Sequence, residues 1–184
     1  MKINEKINQL LLELLTHLPA PRNRVAAGSD AQLIKSAALK AAAVSGALSL
    51  PAGALALLTL LPDLVAVWKI QAQLVSDLAA AHGKSAQLTR ETLLYCLFGK
   101  EAFASEDLVV RIGQRFVFRR SSQKVFESFL GKLGLRIGRS LLGERVTRWI
   151  PFVGAGVIAR YSYSDTAKVG QTARELFSST IEIQ

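Results

Sequence analysis

The sequence predicts an all-α protein, a single helical bundle built round a central apolar, small-residue helical hairpin. Three observations lead there. Apolar residues recur at spacings of three and four through most of the 184-residue chain. The stretch from Ala41 to Pro62 holds no charged residue, yet Pro51 and Gly53 sit at its centre, which favours a hairpin or kinked pair over one straight span. Half of the residues are apolar and mean hydropathy is +0.27, sufficient at this length for one sizeable core.

The N-terminal element, within 1–27, is an amphipathic helix. Ile3, Ile7, Leu10, Leu11, Leu14, Leu15 and Leu18 form its stripe, and Pro19 and Pro21 end it. Glu5 and Glu13 interrupt any continuous apolar run, so the segment does not read as a signal peptide. The central apolar helices occupy 30–99. Ser29 or Asp30 can cap the first of them. Its small residues Ala37, Ala38, Ala41, Ala42, Ser45 and Gly46 allow another helix to approach closely.

Pro62 fits the first position of the next helix, with Asp63 in the positive end of its dipole. Leu64, Val67, Trp68, Leu74, Val75 and Leu78 supply the buried face of that helix, and Gly83 stops it. Asp63, Lys69, Gln73 and Asp77 supply a candidate polar face on the same helix. A further helix opens at Ser85 and ends at Gly99. The last element begins at Pro151 and fills 151–184 as a C-terminal helix, small and apolar first, polar afterwards.

Charge is unevenly placed. Of the net +9, residues 1–110 contribute ten basic against nine acidic side chains, and residues 149–184 balance at three each. The basic segment within 105–148 holds the rest: Arg111, Arg115, Arg119, Arg120, Lys124, Lys132, Arg136, Arg139, Arg145 and Arg148, against only Glu127 and Glu144 beyond position 110. Arg111, Arg115 and Arg119 fall on one side of a helix by their spacing of four, although a strand is possible for part of that run. Phe126, Phe129, Leu130, Leu133, Leu141 and Leu142 alternate with the later basic residues, and these ten cations are the candidate anionic-surface site. An anionic membrane surface fits the interleaved apolar residues, and nucleic acid is the alternative partner.

Catalytic signatures are weak. His17, His82 and the single Cys96 share no ligand spacing, so no metal is indicated, and one cysteine forbids an intrachain disulfide. Asp63 and Asp77 lie roughly 21 Å apart on one helix, too far to act as a carboxylate pair. Gly154, Gly156 and Ala159 match a dinucleotide fingerprint in form, but no strand-helix repeat precedes them, and close helix packing explains small residues there. No cofactor and no catalytic residue are assigned. An enzyme of unknown reaction stays open as a further alternative.

The run AALKAAAVSGALSLPAGALALLTLLPDLVAVWKIQAQLVSDLAAAHG resembles the central region of the EcsC protein family, and WIPFVGAGVIARYSYSDTAKVGQTARELF resembles that family's C-terminal region. The Arg-rich segment departs from the family pattern. The resemblance implies an all-helical, bacterial, membrane-associated protein with no catalytic residues to transfer. The expectation is a protein at the cytoplasmic side of the inner membrane, peripheral or shallowly inserted, which assists or regulates a membrane partner such as a transporter. A soluble cytoplasmic protein is the alternative.

Overall fold

A computed structural model describes residues 27–48, 56–103, 108–119, 122–142 and 155–184. The N-terminal amphipathic helix, the break at Pro51 and Gly53, and Arg120, Arg145 and Arg148 lie outside the described residues. The described residues form five α-helices and a three-stranded sheet. The helices are α1 (Asp30–Leu48), α2 (Ala56–Ala81), α3 (Arg90–Phe103), α4 (Gln123–Leu142) and α5 (Ala155–Ser178). The strands are β1 (Val109–Ile112), β2 (Arg115–Phe118) and β3 (Thr180–Ile183), in spatial order β1-β2-β3. The protein is therefore mostly helical rather than all-α. No helix among the described residues is long and apolar enough to cross a membrane.

Local chemistry accounts for most boundaries. Ser29 caps α1 in a reciprocal box: the Gln32 N–H donates to Ser29 Oγ at 3.4 Å, and the Ser29 N–H donates to Gln32 Oε1 at 2.9 Å. The C-terminus of α2 is a Schellman turn. The Lys84 N–H donates to the Ala79 carbonyl and the Gly83 N–H to that of Ala80, with Gly83 at φ +66°.

Several predicted boundaries are corrected. Helix α2 begins at Ala56 and runs through Pro62, so Pro62 does not start a helix. At the seventh position of the helix, Pro62 lacks the N–H that would donate to the carbonyl four residues before it. Asp63 accordingly lies beyond the first turn, where the dipole contribution has decayed. Ser85 opens only a 3₁₀ turn, Ser85–Gln87. The cap of α3 is Thr89, whose N–H donates to Thr92 Oγ1 at 2.8 Å while the Thr92 N–H donates to Thr89 Oγ1 at 3.3 Å. Gly99, at φ +73° and ψ 176°, is non-helical and interrupts α3, so the first helical stretch ends there as expected.

The run from Val109 to Phe118 is an antiparallel hairpin, not a helix carrying Arg111, Arg115 and Arg119 on one side. Val109 pairs with Phe118, Arg111 with Phe116 and Ile112 with Arg115. β-branched and aromatic residues dominate both arms, and Gly113 supplies φ +61° in the two-residue turn. The final segment is likewise not helical throughout: after Ser178 the chain extends, and β3 adds parallel to β2 with Phe116 opposite Ile181 and Phe118 opposite Ile183.

Helices α1, α2 and α5 form the central layer. Ala37, Ala38, Ala41 and Ser45 are buried, so one face of the described first part of the uncharged stretch packs in the protein core, while Ala43 and Ala47 are exposed. Ile34 lies against Gly170, and Ser45 is bonded to Ser162, which makes α1 antiparallel to α5. Gln71 bonds Thr166 and Leu74 lies against Gly170, which makes α2 run with α5. Large side chains then join the helices to the sheet: Trp68, Leu78, Tyr95, Phe116, Phe118, Phe129 and Phe177 share one cluster. Tyr95 meets Phe116 and Phe118 edge-on at 5.7 and 5.6 Å.

The bundle has two unlike ends. At one, His82 Nε2 lies 3.0 Å from Asp30 Oδ2, Lys84 Nζ donates to the Ser179 carbonyl, and the Thr180 N–H donates to the Gln114 carbonyl of the hairpin turn. The other end holds Leu48, Ala56 and Ala155. The length of α5 separates the two by roughly 35 Å.

Candidate functional site

Strand pairing disperses the arginines that the sequence placed together. Arg111 shares a face with Val109, Phe116 and Phe118, whereas Arg115 shares the opposite face with Val110 and Ile112. Arg111 is held three ways. Its Nε donates to the Gly113 carbonyl at 3.1 Å, its guanidinium lies 5.1 Å from the Phe116 ring centre, and a terminal nitrogen is 2.7 Å from Glu175 Oε1. Arg115 reaches Glu182 on β3 at 3.0 Å. Both pairs are exposed, and such pairs contribute about 0.2–1 kcal/mol. Arg119 is exposed after β2, with its backbone N–H donating to the Leu108 carbonyl at 3.0 Å.

Helix α4 carries the rest of the described basic segment. It turns Phe126, Phe129, Leu130 and Leu133 into the core. Lys124 and Lys132 are exposed on the other side, with Val125 and Leu135 exposed beside them. At about 100° per residue, Lys124, Leu135, Lys132 and Val125 fall within an arc of roughly 100°. Glu127, also exposed, lies one helical turn from Lys124 at the edge of this sector.

The candidate polar face of α2 runs from solvent into the protein. Lys69 is exposed, Gln73 is half-buried, and Asp77 is only 5% exposed. The Gln73 amide donates to Asp77 Oδ1 at 2.9 Å, which satisfies a buried carboxylate. Asp63 belongs to α2 by backbone.

A polar seam not foreseen from the sequence crosses the central layer. The Gln71 amide donates to Asp165 Oδ2 at 2.9 Å and to Thr166 Oγ1 at 3.2 Å. Further along, Ser162 Oγ donates to Ser45 Oγ at 2.7 Å. The small-residue stripe of α1 hinted at the packing, but only the crossing of α5 brings these partners together, across 94 residues for Gln71 and Asp165. Among the described residues nothing lies within 4 Å of a Cβ built on Gly156, whereas one built on Gly170 meets Ile34 and Leu74.

The remaining reactive groups are sequestered. Cys96 is buried, and desolvation pushes its thiol far up. Tyr95 is raised by burial first, then by the charge of Glu175, with Cys96 adding to the shift and Arg111 opposing it. Among the described residues, no three His, Cys, Asp or Glu side chains group as metal ligands. No protein-family model, no curated protein and no solved structure matches the chain.

Proposed function

We propose that this is a non-enzymatic, membrane-associated protein whose basic segment rests on anionic lipid and which assists or regulates a membrane partner such as a transporter. The observation that carries the reading is the outer side of α4, where Lys124 and Lys132 are exposed beside the exposed apolar side chains of Val125 and Leu135. Cations attract lipid phosphate, about 1 kcal/mol each near an anionic leaflet, and the apolar residues enter the headgroup boundary. Exposed aliphatic groups in that sector favour lipid over nucleic acid, whose phosphates offer them nothing. Membership of the EcsC family, a bacterial origin and a place on the cytoplasmic side of the inner membrane belong to the same proposal. They rest on the resemblance of residues 37–83 and 149–177.

Flotation with liposomes tests it. The protein is expected to float with phosphatidylserine-containing vesicles at low salt and to be released as salt rises. Recovery in the soluble fraction at low salt contradicts the proposal. Salt-sensitive retardation of DNA or RNA without vesicle binding would establish the nucleic-acid alternative instead.

A further inference from the structure

We propose that the hairpin tip, Arg111 to Arg115, is a second lipid-phosphate contact which Glu175 and Glu182 hold masked. The proposal rests on the membrane reading and adds its regulation. The tip is built for such a contact: Ile112 is 64% exposed, and arginines flank it on both faces of the hairpin. Both guanidiniums already bind oxyanions, which in this structure are the chain's own carboxylates, Glu175 at 2.7 Å and Glu182 at 3.0 Å. A lipid phosphate presents the same chemistry to the same donors. The Gly113 carbonyl and the Phe116 ring orient Arg111 independently of Glu175, so the guanidinium stays in place when the carboxylate leaves.

The masking is exchangeable because the competing interactions are of one magnitude. Arg111 and Glu175 are 44% and 54% exposed, and Arg115 and Glu182 are 57% and 38% exposed. Exposed pairs of this kind are weak, comparable to an arginine beside an anionic leaflet. Strand β3 does not depend on them. It keeps its register with β2, and the Thr180 and Gln184 N–H groups donate to the Gln114 and Phe118 carbonyls. Side chains can therefore swap partners while the sheet stays closed.

The test is co-sedimentation with phosphatidylcholine vesicles, with and without phosphatidylserine, at low salt. Glu182→Gln and Glu175→Gln are each expected to raise binding to the anionic vesicles roughly two- to fivefold, with the melting temperature unchanged. The gain from Glu182→Gln is expected to vanish in an Arg115→Gln background, and that from Glu175→Gln in an Arg111→Gln background. A gain that survives undiminished there is a net-charge effect and overturns the masking while leaving the membrane reading intact. No gain from either substitution in a wild type that binds also overturns it. Binding by neither wild type nor variants overturns the membrane reading and the masking together.

Discussion

Gly170 of α5 faces Ile34 of α1 so closely that a Cβ on Gly170 would lie 2.6 Å from Ile34 Cγ1 and 3.1 Å from Leu74 Cδ2. This contact fixes the spacing of the central layer, because the Ile34 side chain is branched and stiff at its root.

Gly170→Ala is therefore expected to destabilise the protein despite the better helix propensity of alanine. Overpacking costs about 1–3 kcal/mol against a propensity gain of about 1. Gly131→Ala, whose Cβ would meet nothing within 4 Å among the described residues, is expected to stabilise by about 0.5–1 kcal/mol. Thermal unfolding of the two variants should move in opposite directions, and Ile34→Ala should relieve the Gly170→Ala defect.

The polar seam predicts non-additive substitutions. Ser45→Ala leaves the buried Ser162 hydroxyl unpaired and should cost about 1–3 kcal/mol, while the double variant Ser45→Ala, Ser162→Ala should cost less than the sum of the two. Denaturant unfolding of the four proteins gives the coupling. Additive losses would show that the 2.7 Å bond between these serines contributes nothing.

Alkaline pH should weaken the fold. The thiol of Cys96 and the phenol of Tyr95 are both raised by burial, so the unfolded chain releases these protons first. Their contribution is complete below the unfolded values and is lost as pH rises through the folded ones. The melting temperature should decline above about pH 9, less steeply in Cys96→Ala. In the native state Cys96 should resist a disulfide reagent at pH 8 and react once denatured. Rapid stoichiometric labelling of the folded protein would contradict its burial.

Much of the helical framework was legible from local signals. Ser29 with Gln32, the Gly83 stop and the small residues from Ala37 to Ser45 each carry their instruction within a few positions. The sheet was less legible because its signals are short. Val109 to Ile112 and Arg115 to Phe118 are four residues each, and their spacing of four between arginines also fits a helix. Gly113 and Gln114 between two β-prone arms were the available clue. Strand β3 could not be read locally, since it exists by pairing with β2 across the whole of α4 and α5. The basic site was legible in composition only: the sequence located the charge, but pairing with Glu175 and Glu182 decided which arginines are occupied.

Turn chemistry offers a check on the hairpin. Gly113→Val forces a branched residue into φ +61° and should destabilise by about 1–3 kcal/mol. It should lower protection of the β1 and β2 amides in hydrogen exchange before that of α2. Equal loss in both would make the sheet and helices one cooperative unit.

The most direct measurement for the membrane reading compares wild type with Lys124→Glu, Lys132→Glu in flotation with phosphatidylserine-containing liposomes at low salt. Both side chains are exposed, and a melting temperature measured on each protein establishes that both are folded. Each lost cation is worth about 1 kcal/mol and reversal more than that, so binding is expected to fall at least about 25-fold. Wild-type protein that floats no better than the variant, with both folded, would contradict the account.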